Sequence, residues 1–174
     1  TQEQGGKFFE TLVQEGQANA VKLEGGARVL RQVRAIVKAQ IPVMGHLGLT
    51  PQSIHVFGGF KVQGRNKDVA AQLIDDARRL EDAGVFAVVL ECIPEELAAR
   101  ITESVAVPTI GIGAGAGCDG QILVYHDMLG LYSDVRPKHV KVFAEAGQLI
   151  QQGIREYVTQ VRNAEFPGKE HSFS

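Results

Sequence analysis

Five short apolar runs alternate along this chain with stretches of helical periodicity, and that alternation restricts the fold more than any other feature of the sequence. The runs fall at 18–24, 41–47, 86–91, 108–115 and 121–127. Between and around them, apolar residues recur every three to four positions over 3–15, 28–38, 68–83, 94–104 and 137–161, with an interruption expected near Gly147. Gly16, Pro94 at a first helical position, and the Gly25-Gly26 pair punctuate the pattern. Strand–helix alternation of this kind predicts an α/β domain whose sheet is mostly parallel and covered on both faces. Polar residues gather at the carboxyl ends of the strands: Lys22 and Glu24, His46, Glu91, then His126 and Asp127. In α/β proteins ligands bind at that edge. Twenty-two residues separate Glu24 from His46, and 23 separate Glu91 from Ala114, close to one strand–helix unit each.

Two architectures accept five parallel strands. An open doubly wound sheet fits within 174 residues. A (β/α)8 barrel typically needs ~250 residues, so at ~30 residues per unit about three units would lie outside this chain. The link 115–120 is too short for an ordinary crossover helix, and Asp119-Gly120 suits a hairpin turn. The residues alone leave that choice open.

The stretch from Val43 to Arg65 begins as a strand and then loses all periodicity. Leu47, Leu49, Ile54, Val56, Phe57, Phe60 and Val62 give it too much apolar surface for a disordered segment. Five glycines mark tight turns or places where backbone approaches a ligand. With His46 at its strand end, the segment reads as an ordered active-site wall, and 48–65 as a lid that keeps water out.

Bulk composition excludes several classes. A net charge of −2 gives no reason to expect nucleic acid or an anionic membrane as partner. No apolar run approaches a membrane span and no signal peptide opens the chain. Cys92 and Cys118 form no disulfide framework and read as inert small residues, which points to the cytoplasm. The chain opens at Thr1, so a preceding segment is expected. Gly111, Gly113 and Gly115 fail the dinucleotide fingerprint and read instead as a tight turn beside a cofactor. Taken singly, Glu91 is equally a helix-capping carboxylate or a base, Lys22 and Glu24 a strand-end ion pair, and His46 a hydrogen-bonded core histidine.

Taken together, the residues are more specific. Val21-Lys-Leu-Glu-Gly-Gly26, Gly45-His-Leu-Gly-Leu-Thr-Pro-Gln-Ser53, Gly58-Gly-Phe-Lys-Val-Gln-Gly-Arg65, Val89-Leu-Glu-Cys92, Ile110-Gly-Ile-Gly-Ala-Gly115, Asp119-Gly-Gln121, His126-Asp127 and Glu170-His-Ser-Phe173 occur in that order. They closely resemble the ketopantoate hydroxymethyltransferase family. The resemblance implies a (β/α)8 TIM barrel of the phosphoenolpyruvate/pyruvate type, with this chain supplying about its last five strands as one catalytic domain, 1–174. It implies transfer of a one-carbon unit from 5,10-methylenetetrahydrofolate to 3-methyl-2-oxobutanoate, with a divalent metal such as Mg2+, in a cytoplasmic homo-oligomer. By motif, Glu91 is then the general base, Lys22 a substrate-binding cation, His46 a substrate-side hydrogen-bonding residue and Glu24 a metal-site carboxylate. The family's two metal-site aspartates and a substrate-binding serine lie on early strands without counterpart here, so the isolated chain is expected to be poorly active or inactive. The rival readings are a related metal-dependent 2-oxo-acid lyase or mutase, and a non-catalytic nucleotide-binding α/β module built on the 111–115 glycines.

Overall fold

Every strand of the sheet runs parallel to its neighbour, and the strands lie in chain order. The computed structural model describes residues 11–50, 62–131 and 136–173. They form β1 (Val21–Glu24), a 3-10 turn (Ala27–Val29) running into α1 (Leu30–Lys38), β2 (Val43–Gly48), α2 (Lys67–Asp82), β3 (Ala87–Glu91), α3 (Glu95–Ser104), β4 (Thr109–Ile112) and β5 (Gly120–Gln121). A doubly wound sheet reverses its strand order at a switch point. This sheet never does, and its architecture is that of part of a (β/α)8 barrel. The chain divides into two compact units, residues 1–122 and 123–174.

Local sequence explains the elements. Asn66 caps α2 by accepting the Asp68 N–H at 2.8 Å, and Pro94 stands at the N-cap of α3 rather than inside it. Strand alternation then sorts the side chains. Val21, Val43, Leu47, Val88 and Leu90 point to the helix side and join Val33, Ile36, Leu80, Leu97 and Ile101 in one core. Val89 and Ile112 are also buried but stand outside that cluster, on the opposite face. That second face carries the site.

β4 and β5 are parallel, so the hairpin suggested by Asp119-Gly120 does not form. The short link suffices because β4 has only four residues, so the chain needs no helix to return to its start. Asp119 fixes the return by accepting from Thr109 N–H (2.8 Å) and Thr109 Oγ (3.0 Å), while the Thr109 and Thr102 hydroxyls pair at 2.8 Å. The backbone bond first, then the hydroxyl bond, hold the Asp119 carboxyl below the usual carboxylate range. A group whose pKa falls on folding contributes stability above its unfolded value, and loses it as pH drops through the folded one. Asp119→Asn is therefore expected to lower the urea midpoint at neutral pH, with the deficit shrinking below about pH 4. A deficit of equal size at neutral pH and near pH 3 would show that the charge contributes nothing.

Two elements differ from the sequence reading. The strand expected over 121–127 stops at Gln121: its pairing with β4 ends opposite Gly111, and by Val124 the chain is capping a short helix. His126 and Asp127 instead lie on a short helix, α4 (Tyr125–Met128), in the second unit. The helix expected over 137–161 begins only at Ala146, as α5 (Ala146–Arg162). Backbone groups before it are engaged elsewhere: Phe143 N–H donates to Met128 O and Ala146 N–H to Leu129 O. Of the helix expected over 3–15, residues 11–14 are helical, and 3–10 lie outside the described residues. The aperiodic tail makes a 3-10 turn at Lys169–His171, with the His171 ring 5.1 Å from Phe166.

Candidate active site

Register alone brings the predicted residues together. Lys22 lies beside Met44, Glu24 beside His46, His46 beside Val89, and Gly48 beside Glu91. In parallel strands register partners share a face, and residues two apart on a strand do too. Lys22, Glu24, His46 and Glu91 therefore project from one face, at the carboxyl ends of three adjacent strands. That is the rim where barrels place their chemistry.

His46 sits at the centre. It is 1% exposed, with Nδ1 3.8 Å from Glu24 Oε1 and Nε2 3.1 Å from Glu91 Oε2. Neither approach has hydrogen-bond geometry, so both ring nitrogens are buried without a formed bond. Unmade bonds of this kind are costly, and they suit a ring that a bound ligand completes. The two carboxylates are partly shielded, at 16% and 19% exposure. Lys22 is exposed, two residues before Glu24.

The histidine lies between the carboxylates, each facing a different ring nitrogen, so the three groups form a row rather than a converging cage. Among the described residues no group of three His, Cys, Asp or Glu side chains could hold a metal ion.

The base of the long loop is anchored on the same strand end. Leu49 N–H donates to Glu91 O and Gln63 N–H to Cys92 O, both at 2.9 Å. Gly48 makes the exit possible at φ 96°, and any Cβ there would stand 2.1 Å from Glu91 O. Residues 51–61, the greater part of the expected lid, lie outside the described residues. Cys92 turns the chain at φ 49°. Burial, and then the Glu91 carboxylate beside it, push its thiol pKa up. Burial likewise raises Cys118. Both thiols stay protonated, so neither is an activated nucleophile. Gly113 and Gly115 adopt φ of 63° and 76° in a turn that leads into β5, not into a helix, so no helix N-terminus stands there to take a phosphate.

A cavity of about 280 Å³ adjoins the rim, lined by Gly26, Arg28, His46, Thr50, Gln72 and Asp76. A larger groove of about 520 Å³ runs over α2 and α3 and touches none of the rim residues. Asp76 escaped the sequence reading. It lies on the buried stripe of α2 with Leu73, Ala77 and Leu80, and a carboxylate at an apolar position of a strongly periodic helix was the available signal.

The sequence matches the family model described as ketopantoate hydroxymethyltransferase over residues 1–169. Among curated proteins, it is 62% identical over 162 residues to the 3-methyl-2-oxobutanoate hydroxymethyltransferase of Clostridium novyi (strain NT), covering 93% of this chain and 59% of that protein. The protein of the same name from Clostridium botulinum (strain Loch Maree / Type A3) is 60% identical over 162 residues, with 93% and 59% covered. That of Clostridium kluyveri is 62% identical over 162 residues, with 93% and 58% covered. The chain thus spans about 59% of the length of the curated relatives it matches.

Proposed function

Since the chain belongs to the ketopantoate hydroxymethyltransferase family, we propose that it supplies the proton-transfer rim of an enzyme that moves a hydroxymethyl group from 5,10-methylenetetrahydrofolate to 3-methyl-2-oxobutanoate. One observation carries this reading. Glu91 stands 3.1 Å from the buried His46, whose ring nitrogens form no hydrogen bond among the described residues, on the face that also bears Glu24 and Lys22.

The roles follow from the chemistry. Glu91 takes the proton from C3 of the keto acid, and the C–H electron pair becomes an enolate. It stands at the end of the apolar run Val88-Val89-Leu90, on the rim where a bound keto acid would present its C3 hydrogen. Lys22 offers a positive charge on the same face as the enolate oxygen develops charge. His46 orients the substrate through whichever ring nitrogen Glu91 leaves free. The enolate carbon then bonds to the folate methylene as one of its two C–N bonds breaks, water displaces the other to leave the hydroxyl, and tetrahydrofolate departs with the proton from Glu91 and one from water on its two nitrogens.

Metal dependence belongs to the same proposal, with Glu24 as the carboxylate. Mg2+ takes about six oxygen ligands and keeps several as water. Glu24 alone does not fit such an ion, and the remaining ligands would come from substrate, water or groups outside the described residues. The isolated chain is accordingly expected to be poorly active or inactive in the full transfer. The assembled enzyme is expected to be a cytoplasmic homo-oligomer with no nucleic-acid or membrane partner. Among the described residues no helix is long and apolar enough to cross a membrane.

Deuterium uptake at C3 of 3-methyl-2-oxobutanoate, followed by proton NMR in D2O with Mg2+, tests the reading. It should be measured on the chain alone and with the unmatched part of a relative supplied in trans. The expected result is exchange without folate and product only with it. Absence of both exchange and keto-acid binding in the reconstituted protein would overturn the proposal, whereas exchange without transfer would favour the lyase or mutase alternative.

A further inference from the structure

We propose that Asp76 is a positioning residue for the catalytic rim, setting Glu24 against His46 by clamping the turn that follows β1. This inference rests on the assignment of Glu24 and His46 to the site. Asp76 is 8% exposed, and a buried carboxylate persists only where its hydrogen bonds are made. Its Oδ1 accepts the Ala27 N–H at 2.9 Å and the Gln72 Nε2 at 3.1 Å. The backbone of Gly26 lies so close that a Cβ there would stand 2.0 Å from Asp76 Oδ2.

A simple need for a helix cap does not account for this arrangement. Ala27 is the first residue of the 3-10 turn that leads into α1, and a side chain at the N-cap position 26 reaches the second or third N–H of such a turn, not the Ala27 N–H that Asp76 takes. That N–H is met by a carboxylate 49 positions away on another helix. The long-range cap ties the end of β1 to α2, which a local cap would not do. On the other side of Gly26, Gly25 N–H donates to His46 O at 3.0 Å. The turn is thus held on both flanks, by β2 through His46 and by α2 through Asp76, and Glu24 is the residue immediately before it. Glu24 Oε1 keeps its 3.8 Å separation from His46 Nδ1 only while the turn holds its place.

The test compares Asp76→Ala and Asp76→Asn with a control, Glu81→Gln. Glu81 performs a similar long-range service away from the rim, accepting the Ala106 and Val107 N–H groups at 2.6 and 3.0 Å. The readouts are the His46 ring resonances in 15N-histidine NMR, hydrogen exchange at Ala27, and keto-acid affinity by calorimetry. Asp76→Ala should expose the Ala27 amide, move the His46 ring resonances and weaken keto-acid binding by roughly ten- to a hundredfold, as small misplacements of binding groups do. Asp76→Asn, which keeps a neutral acceptor oxygen, should give a smaller change in the same direction, and it carries the test if the alanine variant fails to fold. Glu81→Gln should lower stability without moving the His46 signals. An exposed Ala27 amide with unchanged His46 resonances would overturn the inference. If the unsubstituted protein binds no keto acid, the functional proposal falls, and the ring resonances still decide the positioning role.

Discussion

Glu91→Gln is expected to slow deuterium uptake at C3 of 3-methyl-2-oxobutanoate by about 10²–10⁴-fold, the usual worth of a positioned general base. Keto-acid affinity should stay close to that of the parent. The amide fills the same volume at the end of β3 and still presents an oxygen toward His46, so the rim keeps its shape. It lacks a basic lone pair able to hold a proton near neutral pH, so only the proton transfer is lost. Exchange kinetics and calorimetry on the same samples separate the two effects. Retained exchange would remove Glu91 from the mechanism and leave His46, its 3.1 Å neighbour, as the next candidate.

The second large effect is expected at Gly48, where Gly48→Ala should cost roughly 3–5 kcal/mol, summing backbone strain and overpacking. Two causes act together. Its φ of 96° lies where an L side chain is strained. The added methyl would also stand 2.1 Å from Glu91 O and 2.9 Å from Ile93 Cγ2, and the first of these is backbone that cannot swing aside. The chain would have to give up the Leu49 N–H bond to Glu91 O, moving Glu91 with it. For a protein of this size the loss corresponds to a fall in Tm of about 6–20 °C. Gly153→Ala is the control. It lies within α5 with nothing within 4 Å of a Cβ, and should raise stability by up to about 1 kcal/mol. Thermal unfolding of both variants checks the opposite signs, and a Gly48→Ala protein as stable as the parent would show that the turn relaxes freely.

What the sequence made legible was whatever depends on short-range pattern. Val88-Val89-Leu90 followed by Glu91 announces a buried strand with a carboxylate at its end, and the strand is there. A period of two placed Lys22 and Glu24 on one side, and the register agrees. Features set by distant partners were hidden. The apolar run Ile122-Leu123-Val124 after Gln121 looks like a strand, yet its pairing with β4 ends at Gln121 opposite Gly111. The apolar spacing of 137–145 suits a helix, but Phe143 N–H is taken by Met128 O, and the helix starts only at Ala146. Asp76 looked like one more charge on α2, because its partner at Ala27 lies three elements and 49 positions earlier. The choice between a barrel and an open sheet was hidden for the same reason, since strand order is a property of pairings rather than of any one strand.

The paired roots of the long segment after β2 have an evolutionary consequence. Leu49 and Gln63 both hang from consecutive carbonyls of the β3 terminus, so the strand that ends in Glu91 closes the ring from which that segment departs. Whatever its length, the excursion begins and ends at the same fixed post. Doubling a closed loop costs only about 0.6 kcal/mol, so insertions or exchanges between these roots are tolerated while the end of β3 keeps its place.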